Sequence, residues 1–98
     1  MNVKELKHLI DNNVNICIID IREPYECENG SICSFNIPLD QIMNRVDEIP
    51  REKNVVFYCN SGKRSKSLKF MLEKIHAFKN LAHLEGGFKQ WEEEQKAN

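Results

Sequence analysis

Between Val55 and Ile75 the chain reads VVFYCNSGKRSKSLKFMLEKI, so that Cys59 follows four apolar residues and precedes a glycine, two cations and a serine. Cysteine is a nucleophile as its thiolate, which is favoured where backbone N–H groups and a helix N-terminus converge on sulfur. Gly62 permits positive φ, which lets successive N–H groups of the loop turn inward, and Ser65 stands where a helix is predicted to begin and to need a cap. Lys63, Arg64, Lys66 and Lys69 have no acidic residue among them. The mouth of this anion cradle is therefore expected to be locally positive, and its substrate to be an anion. A buried strand-end cysteine beside an ordinary solvated helix face accounts for each feature singly. The coincidence of glycine, cations and helix start within six positions favours a reactive thiol.

The elements around this loop must place it at a strand end. Val55 to Tyr58 forms an apolar strand, and Leu68, Met71, Leu72 and Ile75 recur at i, i+3, i+4 and i+7, the pattern of a helix laying one face on a sheet. Upstream, Val3, Leu6 and Ile10 share one face of a short helix, and Ile16 to Ile19 reads as a strand buried on both faces. FNIP is expected to add a short strand, and Ile42, Val46 and Ile49 follow helical spacing until Pro50. NLAHLEGG supplies a further strand and a turn, and Phe88 and Trp91 stripe a last helix. Strands alternating with helices imply a parallel sheet covered on both faces, with ligands at the carboxyl ends of the strands, where Cys59 lies.

The 98 residues are expected to form one domain, residues 1–98, with no repeat or linker. A net charge of −1 gives no overall electrostatic case for nucleic acid or an anionic membrane. No apolar run reaches the roughly 18–20 residues that span a bilayer, and the polar amphipathic N-terminus does not read as a signal peptide, so a cytoplasmic protein is expected. Cys17, Cys27, Cys33 and Cys59 contain no C-x-x-C pair, and His8, His76 and His83 lie at unsuitable spacing, so neither a metal nor another cofactor is called for. Reduced thiols are the default.

DIREPYE, NIPLDQI, VVFYCNSGKRS and LEGGFKQW occur in the order and approximate spacing of the single-domain rhodanese-like sulfurtransferases, and the chain resembles that family from its first helix to Trp91. The resemblance implies a small rhodanese-like α/β domain with a mainly parallel central sheet of four to five strands and helices on both faces. It implies Cys59 as the catalytic nucleophile and the loop residues Asn60, Ser61, Gly62, Lys63, Arg64 and Ser65 as the substrate-binding cradle. In that family the cysteine takes the sulfane sulfur of a donor such as thiosulfate, becomes a persulfide and passes the sulfur to a thiol, to cyanide or to a sulfur-carrier acceptor. Asp20 and Arg22 match a D-x-R segment and read as anchors of neighbouring loops, while Gly86, Gly87 and Trp91 read as turn and core residues. The chain departs from the family at NGSICSFNIP, where Ser31 replaces a common histidine. Cys33 lies in that segment and is read as packing, with a resolving-thiol role as the alternative.

Two other functions compete. Cysteine phosphatases share the fold, but tyrosine-type enzymes place five residues between Cys and Arg, whereas Cys59 and Arg64 are separated by Asn60, Ser61, Gly62 and Lys63. A non-catalytic binding or regulatory module of the same fold has no need of the intact loop that this chain retains.

Overall fold

The computed structural model describes residues 1–96. In chain order the elements are α1 (Val3–Asp11), β1 (Ile16–Asp20), α2 (Pro24–Cys27), a 3₁₀ segment (Leu39–Glu48), β2 (Asn54–Tyr58), α3 (Lys63–His76), β3 (Leu81–His83) and α4 (Gly87–Lys96). The sheet is parallel with order β1-β2-β3, and β2 at its centre pairs Cys17 with Val55, Ile19 with Phe57, and Phe57 with His83.

The central strand carries Val55, Val56, Phe57 and Tyr58 with no exposed surface, and its alternation divides the core. Val55, Phe57 and Cys59 face one cluster with Ile19, Ile42, Leu68, Leu72 and Phe78. Val56 and Tyr58 face the other, with Val3, Leu6, Leu84 and Phe88. Thus α3 and the 3₁₀ segment cover one face, while α1 and α4 cover the opposite face, as the sequence pattern implies.

Among the described residues the sheet has three strands, which corrects the expectation of four to five. FNIP contributes only a single bridge, Asn36 to Asp20: Ile37 N–H donates to the Asp20 carbonyl, but past Pro38 the Leu39 N–H meets Ile21 and the pairing leaves register as the 3₁₀ segment begins. Ile16, Cys17 and Ile18 of the edge strand β1 are correspondingly half-buried rather than enclosed on both faces. The region from Ile42 to Ile49 winds as a 3₁₀ segment interrupted by non-helical torsions at Arg45, and no α-helix forms there. On α3 the periodic stripe divides: Leu68 and Leu72 are buried, but Met71 and Ile75 lie on the surface.

Candidate active site

Since side chains alternate along a strand, Cys59 just past β2 points to the α3 side and Tyr58 to the other. The chain then turns through Asn60 and Ser61 to Gly62, whose φ of 96° lies in the left-handed region, and α3 starts at Lys63. This turn brings the N–H of Gly62 to 3.1 Å from Cys59 Sγ. The N–H of Ser65 follows at 3.4 Å. The thiol itself donates to Ser65 Oγ at 3.7 Å. The cap at the start of α3 is Gly62, not Ser65; the Ser65 hydroxyl donates to the Gly62 carbonyl at 3.1 Å and stands against the sulfur. Cys59 and Ser65 are wholly buried.

Burial alone pushes the Cys59 thiol up, yet the amides of Ser65, Gly62 and Ser61 and the Ser65 hydroxyl together draw its pKa below that of a free cysteine. The other three thiols move the opposite way. Burial raises Cys17 and Cys33, and burial beside the Asp20 carboxylate pushes Cys27 up to about 11. Cys33 donates to the Ile18 carbonyl at 3.2 Å and packs on the α1/α4 side of the sheet, so the sheet itself separates it from Cys59. It is a packing cysteine.

The rest of the predicted cradle sorts by position. Asn60 and Ser61 are exposed and contribute through their main chain, and Lys63 is exposed at the mouth. Arg64 is not a free cation: its guanidinium donates to the Glu26 carboxylate of α2 at 3.5 and 3.4 Å. Lys69 is paired within α3, to Glu73 at 2.9 Å. The mouth is therefore less positive than its local sequence suggests, and Glu26 belongs to the site although it stands 38 residues from Arg64.

The loop is also held from behind. Because its N–H groups face the sulfur, its carbonyls point away, and α4 receives them: Phe88 N–H donates to the Cys59 carbonyl at 2.8 Å and Lys89 N–H to the Asn60 carbonyl at 3.0 Å. This approach requires Gly87, where a Cβ would fall within 2.5–2.6 Å of Asn60 and Cys59 backbone atoms. The GG pair, read from sequence as a turn, thus allows the last helix to seat against the cradle. On the same side, Arg22 pairs with Asp20 at 2.7 Å, donates to the Gly30 carbonyl at 2.8 Å and lies over the Phe88 ring at 4.3 Å. The Asp20–Arg22 pair is an anchor for the segment around Ser31, which Tyr58 also holds by accepting from Ile32 N–H at 3.0 Å.

Comparison with known proteins matches residues 2–94 to the model of the rhodanese-like domain. The chain belongs to the rhodanese-like family. A solved rhodanese-related protein from Thermoplasma volcanium superposes on this rhodanese-like domain with a TM-score of 0.85 at 30% identity, over 96% of this chain and 90% of that one. YqhL of Bacillus subtilis is 41% identical over 75 residues, 76% of this chain, which spans only 59% of that relative's length. A protein of Allochromatium vinosum named a sulfurtransferase is 29% identical over 90 residues, 90% of this chain and 82% of its own. Among the described residues no helix is long and apolar enough to cross a membrane.

Proposed function

We propose that this rhodanese-like domain is a sulfurtransferase that carries sulfane sulfur as a persulfide on Cys59. It takes the sulfur from a small anionic donor of the thiosulfate type and delivers it to a thiophilic acceptor: cyanide, a small thiol or the thiol of a sulfur carrier. The observation that carries this reading is that Cys59, alone among the four cysteines, has its thiol drawn down by amides converging on the sulfur. The Cys59 thiolate attacks the outer sulfur of the donor, and the donor S–S bond breaks with its electron pair leaving on sulfite. The same amides then face the new Sγ–S bond. In the second half-reaction the acceptor attacks the outer sulfur, and Cys59 departs as a thiolate in the cradle that favours it.

The phosphatase alternative is disfavoured by the gap of only four residues between Cys59 and Arg64, which leaves the loop one residue short of surrounding a phosphoryl group. The test is an intact mass after incubation with thiosulfate. The protein is expected to gain one sulfur atom, mapped to the Cys59 peptide, and to lose it on addition of cyanide; Cys59→Ser is expected to fold and gain none. Turnover of an aryl phosphate without any sulfur gain would overturn the proposal in favour of the phosphatase.

A further inference from the structure

The exposed stripe that separates from the buried face of α3 begins at the mouth of the site. Leu39 and Met43 of the 3₁₀ segment, with Leu68 and Met71 of α3, line a groove of about 420 Å³ whose end is formed by Lys63 and Arg64. One turn beyond Met71 stands Ile75, 60% exposed. Single exposed apolar side chains are ordinary, but a run leading out of a catalytic mouth marks a contact surface. From Arg64 to Ile75 the helix rises roughly 16 Å at about 1.5 Å per residue, several times the length of a thiosulfate-sized donor.

The charge around this stripe selects its occupant. On the groove side α3 presents Lys63 and Arg64 at the lining and Lys74 one turn past Met71, whereas Lys66 and Lys69 lie toward His83 of β3. Among the described residues Arg64 is paired with Glu26, while Lys63 and Lys74 have no carboxylate partner, Lys74 resting over the Phe70 ring at 5.7 Å. We infer that this face docks an acidic protein segment, whose apolar side chains fill the groove beside Met43 and Met71, whose carboxylates meet Lys63 and Lys74, and whose thiol reaches Cys59. The inference rests on the proposed sulfurtransferase reading and names the class of its acceptor. The acceptor thiolate attacks the outer sulfur of the Cys59 persulfide; the S–S bond breaks, its electron pair returns to Cys59 Sγ, and the segment leaves as a persulfide.

The experiment loads Cys59 with thiosulfate and follows discharge by three acceptors: free cysteine, a synthetic peptide of alternating Asp/Glu and Leu/Met ending in cysteine, and its counterpart with Lys for each acid. The acidic peptide is expected to discharge the persulfide about tenfold faster than either other acceptor at low salt, an advantage that added salt reduces. Met71→Glu is expected to abolish that advantage, with the free-cysteine rate reporting on the cradle itself, and Met43→Glu provides a second, independent variant. Equal rates for the acidic and basic peptides, or equal losses with the peptide and with free cysteine in both variants, would overturn the docking surface. So would sedimentation showing that the face is already closed by a second copy, whose Glu92, Glu93 and Glu94 supply the acids. Failure of Cys59 to take up sulfur at all would instead sink the sulfurtransferase reading.

Discussion

Ser65→Ala isolates the side-chain contribution to the cradle, because it removes the one hydroxyl against Cys59 Sγ while leaving the Gly62 and Ser65 amides in place. The hydroxyl contact is long at 3.7 Å and is shared with the Gly62 carbonyl at 3.1 Å, so its worth to the thiolate lies at the low end for a hydrogen bond. A loss of about 0.7–1.4 kcal/mol corresponds to a rise of roughly 0.5–1 unit in the Cys59 pKa. Nucleophilicity rises with pKa with a Brønsted slope of about 0.4–0.5, so the net loss on the acid limb is only about two- to fourfold, and the alkaline plateau should increase. The assay is the rate of iodoacetamide alkylation of the Cys59 peptide, followed by mass spectrometry across pH. A rightward midpoint with a lower acid limb and a higher plateau is the expected signature. An unchanged or lower midpoint in the folded variant would refute the reasoning and leave the amides alone responsible for activation.

Glu26→Gln releases Arg64 from its partner, and since a half-exposed pair is worth about 0.2–1 kcal/mol, KM for thiosulfate is expected to fall by up to roughly fivefold; steady-state kinetics with an unchanged or raised KM would show that Arg64 does not meet the donor. Gly87→Ala places a methyl group against the Cys59 and Asn60 backbone at a φ of 64°, with an expected loss of about 2–5 kcal/mol by urea denaturation and slowed sulfur loading; loading at the wild-type rate would mean that α4 does not set the cradle. Cys33→Ala is expected to load and discharge sulfur normally, at a cost in stability only, and loss of turnover in the folded variant would place that thiol in the mechanism. Cys27, with its folded pKa raised to about 11 from an ordinary value near 9, favours the folded state below the free-cysteine pKa, and that stabilisation is lost as pH climbs through about 11. Urea midpoints between pH 8 and 11 should therefore fall less in Cys27→Ser than in wild type.

The reactive loop was legible because its determinants are contiguous: an apolar strand, a cysteine in register for one face, a glycine at the reversal and a helix start lie within a dozen residues. The family segments carried the fold in the same way. What escaped were relations formed only when distant backbone meets. Glu26 reaches Arg64 from another helix, and the carbonyls of Cys59 and Asn60 are received by main-chain N–H groups, which leave no side-chain trace except the glycine that lets them approach. The strand expected at FNIP shrinks to one bridge because its pairing with β1 slips out of register past Pro38, where Leu39 N–H meets Ile21 and the 3₁₀ segment begins, a tertiary outcome that composition does not report. The α3 stripe was assigned wholly to the core because periodicity reports which residues share a face; how far the covering layer extends over that face is a tertiary matter, and only Leu68 and Leu72 are covered.

The seating of α4 against the back of the loop bears on how the two half-reactions of the proposed sulfur transfer would share one cavity. A catalytic cycle that moves negative charge from Sγ to an outer sulfur and back would ordinarily drag its surroundings with it, each peptide plane rotating to follow the charge. Here the plane that begins at Asn60, which turns the Ser61 N–H toward the sulfur, is pinned at its oxygen end by Lys89, and the plane before it by Phe88, so rotation of either breaks a bond at its far side. The first part of the cradle is consequently stiff, and the cost of reorganising it is met once, at folding, rather than each time charge moves. Stiffness of this origin has an address outside the pocket: loosening the first turn of α4 should slow loading and discharge together, with neither donor nor acceptor near the altered residues.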